Sequence, residues 1–192
     1  MDFTIRVATV ADSSKLLQIY APYVENTAIS FEYEVPSIEE FAKRIENIME
    51  KYPYLVAIKN GDILGYCYVG PFKTRAAYDY SVETTIYLSD AAKGQGIGRV
   101  LYEKLEQVLK AQNILTMDSC IAYANEDDPH LTNGSVYFHE KLGYKKVAHF
   151  PKSGYKFGKW YDMIWMEKEI GEHIDNPPKI KTFNEIRQKV GL

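Results

Sequence analysis

Hydrophobic and polar positions along this chain follow two periods, which together predict a mixed α/β domain. Runs in which apolar and polar residues alternate are typical of strands, and runs in which apolar residues recur every three to four positions are typical of helices. Strands are predicted over residues 4–8, 54–58, 63–69, 81–88, 115–122, 144–150 and 160–168. Helices are predicted from Asp12 or Ser13 onward and over residues 37–49, 96–112 and 132–142.

Three local signals support these boundaries. Ser37-x-x-Glu40 is a capping-box pattern at a helix start. Asn60-Gly61 joins two apolar runs and predicts a tight hairpin turn. Gly143 follows the last of these helices, where glycine commonly ends a helix in a left-handed conformation.

Composition narrows the class of protein. A length of 192 residues suits one domain with a small appendage, and a net charge of -3 argues against a nucleic-acid-binding protein. No apolar run approaches the ~20 residues of a membrane span, and Asp2 and Arg6 interrupt any signal peptide, so a cytoplasmic protein without membrane association is predicted. Cys67 and Cys120 lie in predicted strands and are expected to be buried small side chains rather than a disulfide or metal pair.

The segment Lys93-Gly94-Gln95-Gly96-Ile97-Gly98 lies between a predicted strand and an amphipathic helix. Its glycines permit a sharp turn, and the amides at the helix start favour an anion such as phosphate. Arg99 stands where a P-loop needs its second glycine and where the dinucleotide fingerprint needs its third. The segment is therefore interpreted either as a pyrophosphate site of another kind or as a helix start without a ligand.

A basic residue followed by x-x-G-x-G at a helix start resembles the acyl-CoA pyrophosphate loop of the GNAT acetyltransferase superfamily. Lys93 stands where arginine or glutamine is usual. The resemblance covers roughly residues 4–169 and implies the GNAT fold, a central mixed, mostly antiparallel twisted sheet of about seven strands flanked by helices. It divides the chain into an acetyltransferase domain, 1–170, and a segment, 171–192, that contains a linker and a short amphipathic helix.

Three longer segments, residues 26–31, 70–87 and 154–162, resemble phosphinothricin acetyltransferases in the same order along the chain. This resemblance implies transfer of an acetyl group from acetyl-CoA to the α-amine of a small acceptor such as phosphinothricin, methionine sulfone or methionine sulfoximine. It also implies a homodimer. Two alternatives stay open, namely an acetyltransferase for a polyamine or a peptide N-terminus, and a non-catalytic module that binds acetyl-CoA.

The resemblance assigns roles to residues on the acceptor side. Glu83 is the expected base, because an amine must lose a proton before it attacks a thioester. From its position alone, a solvent-facing glutamate on a strand is the alternative. Arg75 and Tyr78 are expected to orient the acceptor's carboxylate or phosphinate, and Phe31 is expected to pack over it. An ordinary surface arginine and plain packing of Phe31 are the alternatives there.

The implied cofactor-binding residues form two groups. The main chain of one group pairs with the pantetheine arm as an added strand would, and these residues are Ile86, Tyr87 and Leu88. The second group surrounds the pyrophosphate, and its members are Lys93, Gly94, Gln95, Gly96, Ile97, Gly98 and Arg99. His139 is either the general acid for the CoA thiolate, a hydrogen-bonding partner near the sulfur, or an ordinary surface histidine.

One segment departs from the family pattern. The loop after residue 125 is longer and more acidic than usual, and its three acidic residues, 126–128, are expected to face solvent. Either Asn125 or Asn133 is the cofactor-facing residue, and Ser135 either reaches a phosphate or caps the helix. The four histidines show no metal-binding spacing, so no metal is expected.

Beyond the domain, Pro177-Pro178 lies in a predicted linker. Thr182-x-x-Glu185 predicts the start of a short helix with Phe183 and Ile186 on one side. That amphipathic segment packs either on its own core or on a second subunit.

Overall fold

Seven strands form one sheet in the computed structural model of the chain, which describes residues 2–192. The strands are β1 (Thr4–Val7), β2 (Tyr54–Lys59), β3 (Asp62–Pro71), β4 (Ser81–Leu88), β5 (Thr116–Tyr123), β6 (Lys145–Lys156) and β7 (Lys159–Glu169). Their order across the sheet is β1-β2-β3-β4-β5-β7-β6. Every neighbouring pair is antiparallel except β4 and β5, which confirms the predicted mixed, mostly antiparallel sheet.

Among the described residues, five helices flank the sheet, namely α1 (Ser13–Asn26), α2 (Ile38–Met49), α3 (Ile97–Ala111), α4 (Gly134–Lys141) and α5 (Phe183–Ile186). Apolar side chains of α1 and α2, such as Leu16 and Ile45, pack with Tyr54 and Tyr66 on one face of the sheet. The apolar stripe of α3 packs on the other face in a second core. The helices thus cover both faces of the strands that lead to the glycine-rich loop.

Most predicted boundaries are confirmed within one or two residues. β4 and α3 begin and end almost as their hydrophobic periods predict. Asn60 and Gly61 have φ of 52° and 87°, so the predicted hairpin turn is present. Ser37 accepts a hydrogen bond from the Glu40 amide, whereas the Glu40 carboxylate pairs with Arg44 instead of returning to Ser37. Only half of the predicted capping box is therefore formed.

The prediction for the last two strands was too short, because β6 continues to Lys156 and turns directly into β7. The predicted strand ended at residue 150, just before Pro151, which has no amide hydrogen to donate to a neighbouring strand. The pairing of β6 with β7 is irregular between Phe150 and Gly154, which accommodates the proline. Phe157 and Gly158, with φ of 50° and 72°, form the tight turn.

The segment 171–192 packs on its own domain. Phe183 and Ile186 are each 1% exposed and join the core beside α3. The Phe183 amide donates to the Lys51 carbonyl, and the Lys181 amide donates to Gln112. The Glu185 carboxylate accepts hydrogen bonds from the Thr182 amide and hydroxyl, as the capping pattern predicted. Of the two predicted alternatives, the structure shows docking on the same chain.

Two further observations concern the expectations from composition. Cys67 is buried, but Cys120 is exposed, so the expectation of two buried thiols was wrong for Cys120. By the strand register, its side chain projects to the sheet face on which α1 and α2 pack. Among residues 2–192, no helix combines the length and apolar character required to cross a membrane.

Candidate active site

The site begins where β4 separates from β5. These two strands pair only over three residues, from Ser81 opposite Thr116 to Glu83 opposite Asp118. Beyond that point β5 pairs with β7 alone, and β4 continues to Leu88 with β3 on one side only. Residues 84–88 of β4 therefore present main-chain groups on a strand edge that no other strand occupies among residues 2–192.

A cavity of about 490 Å³ lies in this gap. Strand β4, strand β5, the segment before α2 and helix α4 all contribute to its wall. Four residues singled out from the sequence line it together with the β4 edge, namely Phe31, Glu83, Ser135 and His139. Its side chains from β5 and β7 are mostly small or apolar and include Cys120, Ala122 and Met163. No lysine or arginine of the described residues lines it.

Glu83 is the acidic group of the cavity that has no bonded partner. Its carboxylate makes no hydrogen bond or ion pair to any residue in the range 2–192, whereas Glu32 in the same wall is paired with Arg44 at 2.6 Å. Burial raises the pKa of Glu83, and the nearby charge of Lys73 opposes that rise. A carboxylate in this state combines free lone pairs with an increased affinity for a proton.

His139 is buried and hydrogen-bonded, so the surface alternative was wrong. Its Nδ1–H donates to the Ser135 carbonyl at 2.7 Å, and its Nε2 lies 3.2 Å from the Tyr102 hydroxyl. Burial lowers the pKa of His139 to about 4, which leaves the ring uncharged at neutral pH. In the uncharged tautomer that carries its proton on Nδ1, Nε2 accepts a hydrogen bond and carries no proton. The geometry thus disfavours His139 as a proton donor and favours the alternative of a hydrogen-bonding partner.

Tyr102 is a cavity residue that the sequence did not reveal. It occupies the apolar stripe of α3, where its spacing indicates packing and nothing more. The structure places its hydroxyl between His139 and a pair of buried hydroxyls, Thr84 and Ser119, that hydrogen-bond to each other. A hydroxyl in a helical stripe gives no sequence signal of this kind, because the partners come from β4, β5 and α4.

The glycine-rich loop has the conformation that its composition predicted. Gly94 and Gly96 have φ of 75° and 79°, in the left-handed region that other residues rarely adopt. Glycine is favoured at position 98 for a different reason, since a Cβ there would lie 3.2 Å from the Phe138 ring on α4. The loop therefore opens α3 with its first amides unobstructed, which is the arrangement that binds phosphate at helix starts.

The side chains of this loop are arranged less simply. Lys93 pairs with Asp90 at 2.7 Å and lies over the Tyr23 ring, so its charge is already partly compensated. The Gln95 amide donates to the Ala91 carbonyl. The side chain of Ile97 is in the core, and Arg99 is exposed. At the end of the β4 edge, the Leu88 carbonyl already accepts a hydrogen bond from Tyr23.

The residues expected on the acceptor side are not all brought together. Phe31 lies in the cavity wall, whereas Arg75 and Tyr78 are exposed in a turn between β3 and β4, outside the cavity. The Tyr78 ring packs edge-on against Phe72, 5.9 Å between ring centres. The Arg75 side chain makes no hydrogen bond or ion pair with another residue among 2–192, whereas its main-chain carbonyl accepts a hydrogen bond from the Tyr78 amide. Their predicted contact with an acceptor stays a prediction.

Lys156 fixes the segment that carries Phe31, and sequence reasoning assigned it no role. Its ammonium group donates to three main-chain carbonyls at the end of α1 and just beyond, those of Val24 (2.7 Å), Thr27 (2.9 Å) and Ser30 (2.7 Å). Lys156 is 3% exposed, and burial lowers its pKa. A buried lysine beneath carbonyls is well placed at a helix C-terminus, where the helix dipole favours a cation.

The long loop after β5 is ordered by its own polar groups. Asn133 bonds both the amide and the carbonyl of Ala124, and Asn125 donates to Asp162 at 2.7 Å. Neither asparagine lines the cavity, whereas Ser135 does. The expectation for the acidic residues was wrong for Asp128, which accepts hydrogen bonds from Lys159 and Tyr161. Within 2–192, no group of three potential ligands is arranged to hold a metal ion.

Comparison with known proteins identifies the family of the chain. Residues 5–165 match the sequence model of the acetyltransferase (GNAT) domain. The chain is 34% identical to a phosphinothricin N-acetyltransferase of Streptomyces viridochromogenes, over 91% of each chain. It is 32% identical to an L-methionine sulfoximine/L-methionine sulfone acetyltransferase of Pseudomonas aeruginosa, over 88% of this chain and 96% of that one.

A solved structure resembles the fold over nearly its whole length. It is a phosphinothricin acetyltransferase of the GNAT superfamily from Sinorhizobium meliloti, in complex with AcCoA. The two chains superpose with a TM-score of 0.84 at 32% sequence identity, and the match covers 93% of this chain and 94% of that one.

Proposed function

The chain belongs to the GNAT acetyltransferase family, and from that premise we propose that it acetylates the α-amine of a small amino-acid-like acceptor with acetyl-CoA. The acceptor class is that of phosphinothricin, methionine sulfone and methionine sulfoximine, for which the similar proteins are named. The observation that carries the proposal is the unpartnered Glu83 carboxylate in the cavity between the separating strands.

The residues present fit acetyl-CoA. The open amides at the start of α3, with Gly94 and Gly96 free of nearby side chains, suit its pyrophosphate. The free edge of β4 at Ile86 and Tyr87 suits main-chain pairing with its pantetheine arm. When bound, acetyl-CoA supplies the acetyl group as a thioester. We assign Ser135 to the cavity end of this site, because the asparagines considered with it face elsewhere.

Glu83 acts as the base in this proposal, directly or through one water. The acceptor amine is an ammonium group in solution, and its proton passes to the Glu83 carboxylate while the electron pair stays on nitrogen. The raised pKa of Glu83 brings its proton affinity closer to that of the amine, which favours the transfer. Phe31 and the fixed segment around it limit the space in which the amine is held.

The cavity favours an acceptor whose side chain is uncharged. Its described wall contains no lysine or arginine, and the side chains from β5 and β7 are mostly small or apolar. Methionine sulfone and methionine sulfoximine carry polar but uncharged side chains at neutral pH, whereas phosphinothricin adds a negative charge. An ionised group buried without a cation is unfavourable. The structure thus supports the methionine derivatives over phosphinothricin within the proposed class.

We expect kcat/KM for methionine sulfone to exceed that for L-phosphinothricin by about tenfold or more, which is about 1.4 kcal/mol in transition-state binding. Release of CoA thiol from acetyl-CoA measures both rates, with methionine, spermidine and a short peptide in the same panel. A higher value for phosphinothricin, abolished by Arg75→Ala, would instead show that Arg75 reaches the acceptor. Acetylation of spermidine or the peptide alone would reject the proposed class.

Replacing Gly154 by Ala is expected to raise the acceptor KM without changing the Kd for acetyl-CoA. A Cβ at this position would lie 2.3 Å from the Phe31 ring, so the ring must leave its place in the cavity wall. The expected loss in kcat/KM is about tenfold, within the ~10²-fold that small misplacements cost. In a Phe31→Ala background the same substitution is expected to add little, and an undiminished second loss would contradict the explanation.

We propose further that the enzyme is a homodimer. The β6–β7 hairpin exposes four large aromatic residues, which are between 41% and 55% exposed: Phe150, Tyr155, Phe157 and Trp160. Clustered exposed aromatic groups are typical of protein interfaces. The cytoplasmic location and the absence of nucleic-acid binding stay predictions from the sequence.

A further inference from the structure

We propose that Asp118 is a positioning residue that acts through Glu83, as a second carboxylate placed beside the base so that the two share their protons. This inference rests on the proposed role of Glu83. Asp118 stands in the middle of β5 and is 3% exposed. Its carboxylate makes no hydrogen bond or ion pair with any other residue in the described part of the chain, which is unusual for a buried acid.

The strand register places the two carboxylates side by side. Glu83 is the pairing partner of Asp118, and neighbouring strands lie about 4.8 Å apart. The preceding pair, Val82 and Met117, is in the core under α3. Because successive side chains alternate between faces, Glu83 and Asp118 both project to the opposite face, beside the cavity.

A third carboxylate continues the row. On the side of β5 away from β4, Glu167 of β7 pairs with Asp118. Because Met166, the residue before Glu167, lies in the core under α3, Glu167 projects to the same sheet face as Glu83 and Asp118. Lys73 provides the cation of this region, and its ammonium group lies over the rings of Phe72 and Trp165. Three acids and one lysine therefore share this part of the sheet.

Other titratable groups near Asp118 complete its surroundings. Cys120 follows two residues later on the same face of β5, and burial, then the charge of Glu83, raises the pKa of its thiol to about 11. Thr116 stands two residues before Asp118 on β5, and its hydroxyl lies 3.4 Å from the His173 ring. Burial, then the charges of Glu167 and Glu83, raise the pKa of Asp118 to about 7, and Lys73 opposes them. Asp118 thus changes charge in the pH range where the enzyme is expected to work.

The consequence for Glu83 follows from charge alone. Below about pH 7 Asp118 holds its proton and adds no negative charge beside Glu83. Once Asp118 ionises, its negative charge strengthens the affinity of Glu83 for the proton of the acceptor ammonium. In the transfer itself the N–H bond breaks and an O–H bond forms on Glu83, with no further reactant. The acid side of the pH profile is therefore expected to contain two steps.

The test compares kcat/KM from pH 5 to 9 in the natural protein and in Asp118→Asn, with Asp118→Val as a second variant that also removes the charge. We expect the upper step near pH 7, of about tenfold, to disappear in both variants and leave a single ionisation. Glu167→Gln is expected to keep that step but move it to lower pH. Asp127→Asn, an exposed acid with no bonded partner among residues 2–192, serves as the matched control and is expected to leave the profile unchanged.

A second readout does not depend on the acceptor. Carboxyl carbon NMR of Asp118 is expected to show a lower titration midpoint in Glu83→Gln than in the natural protein. Two steps retained in Asp118→Asn and Asp118→Val, or an unchanged Asp118 midpoint in Glu83→Gln, would overturn the inference. If no acceptor in the panel is acetylated, the proposed acceptor class fails, and the NMR titration alone decides whether the two carboxylates are coupled.

Discussion

Replacing Glu83 by Gln is expected to lower kcat by about 10²–10⁴-fold, the contribution typical of a positioned base. Glutamine keeps the size and polarity of the side chain but cannot take a proton from the acceptor amine. The rise of kcat/KM on the acid side of the pH profile is expected to disappear with it, since that rise reports ionisation of the base. The Kd for acetyl-CoA, measured by calorimetry, is expected to stay unchanged.

Glu140→Gln is the matched control, because Glu140 is exposed on α4 next to His139 and its carboxylate has no bonded partner in the described residues. It is expected to keep full activity. Slow product release hides an effect on chemistry in steady-state rates, so single-turnover rates are measured beside kcat. A single-turnover rate for Glu83→Gln within threefold of the rate of the natural protein from pH 5 to 9 would be incompatible with a role of Glu83 as base.

Replacing Lys156 by Met is expected to lower the free energy of unfolding by about 3 kcal/mol, because the substitution leaves three carbonyls without their donor. Methionine retains the length of the side chain, so the loss isolates the ammonium group. The same change is expected to raise the acceptor KM, since the segment that carries Phe31 loses the three hydrogen bonds that attach it to Lys156 of β6. Urea unfolding gives the first quantity, and steady-state kinetics give the second.

Lys145→Met is the control for this prediction, because Lys145 is exposed in the same strand and its side chain bonds to no other residue among 2–192. It is expected to change stability by less than ~0.5 kcal/mol, as is usual for surface substitutions. A Lys156→Met variant as stable as Lys145→Met would mean that the three carbonyls find other partners. An unchanged KM beside a large loss of stability would confine Lys156 to a structural role.

The sequence predicted those parts of the fold that depend on neighbouring residues. The stripe of α3, the alternation of β4 and the turn at Asn60-Gly61 each arise from a few positions in a row, so their periods are visible without the rest of the chain. Strand β6 was harder to predict because Pro151 interrupts its pattern, and only pairing with β7 carries the strand past it. The docking of Phe183 likewise depends on a surface formed by distant segments.

Some site residues were likewise predictable from neighbouring positions, whereas others depend on contacts between distant segments. Glu83, Phe31 and the glycine loop belong to short segments that carry the family resemblance, and that resemblance implies their chemistry. Lys156 meets its acceptors across more than 120 positions of sequence, and Asp118 meets Glu83 only through the strand register. A lone aspartate in an apolar run gives no local signal of that neighbour. The sequence predicted that Asp118 lies in a strand but did not predict its neighbour, and it predicted neither the strand position of Lys156 nor the carbonyls that it contacts.

The separation of β4 from β5 also makes the stability of the folded chain depend on its ligand. Residues 84–88 leave main-chain groups on an edge without a neighbouring strand, and a ligand that takes the place of that strand completes the sheet. Binding to the folded chain alone adds RT ln(1 + [L]/Kd), about 2.7 kcal/mol at a ligand concentration 100 times Kd. A saturating concentration of acetyl-CoA is therefore expected to protect this enzyme from unfolding and from proteolysis of the unfolded chain.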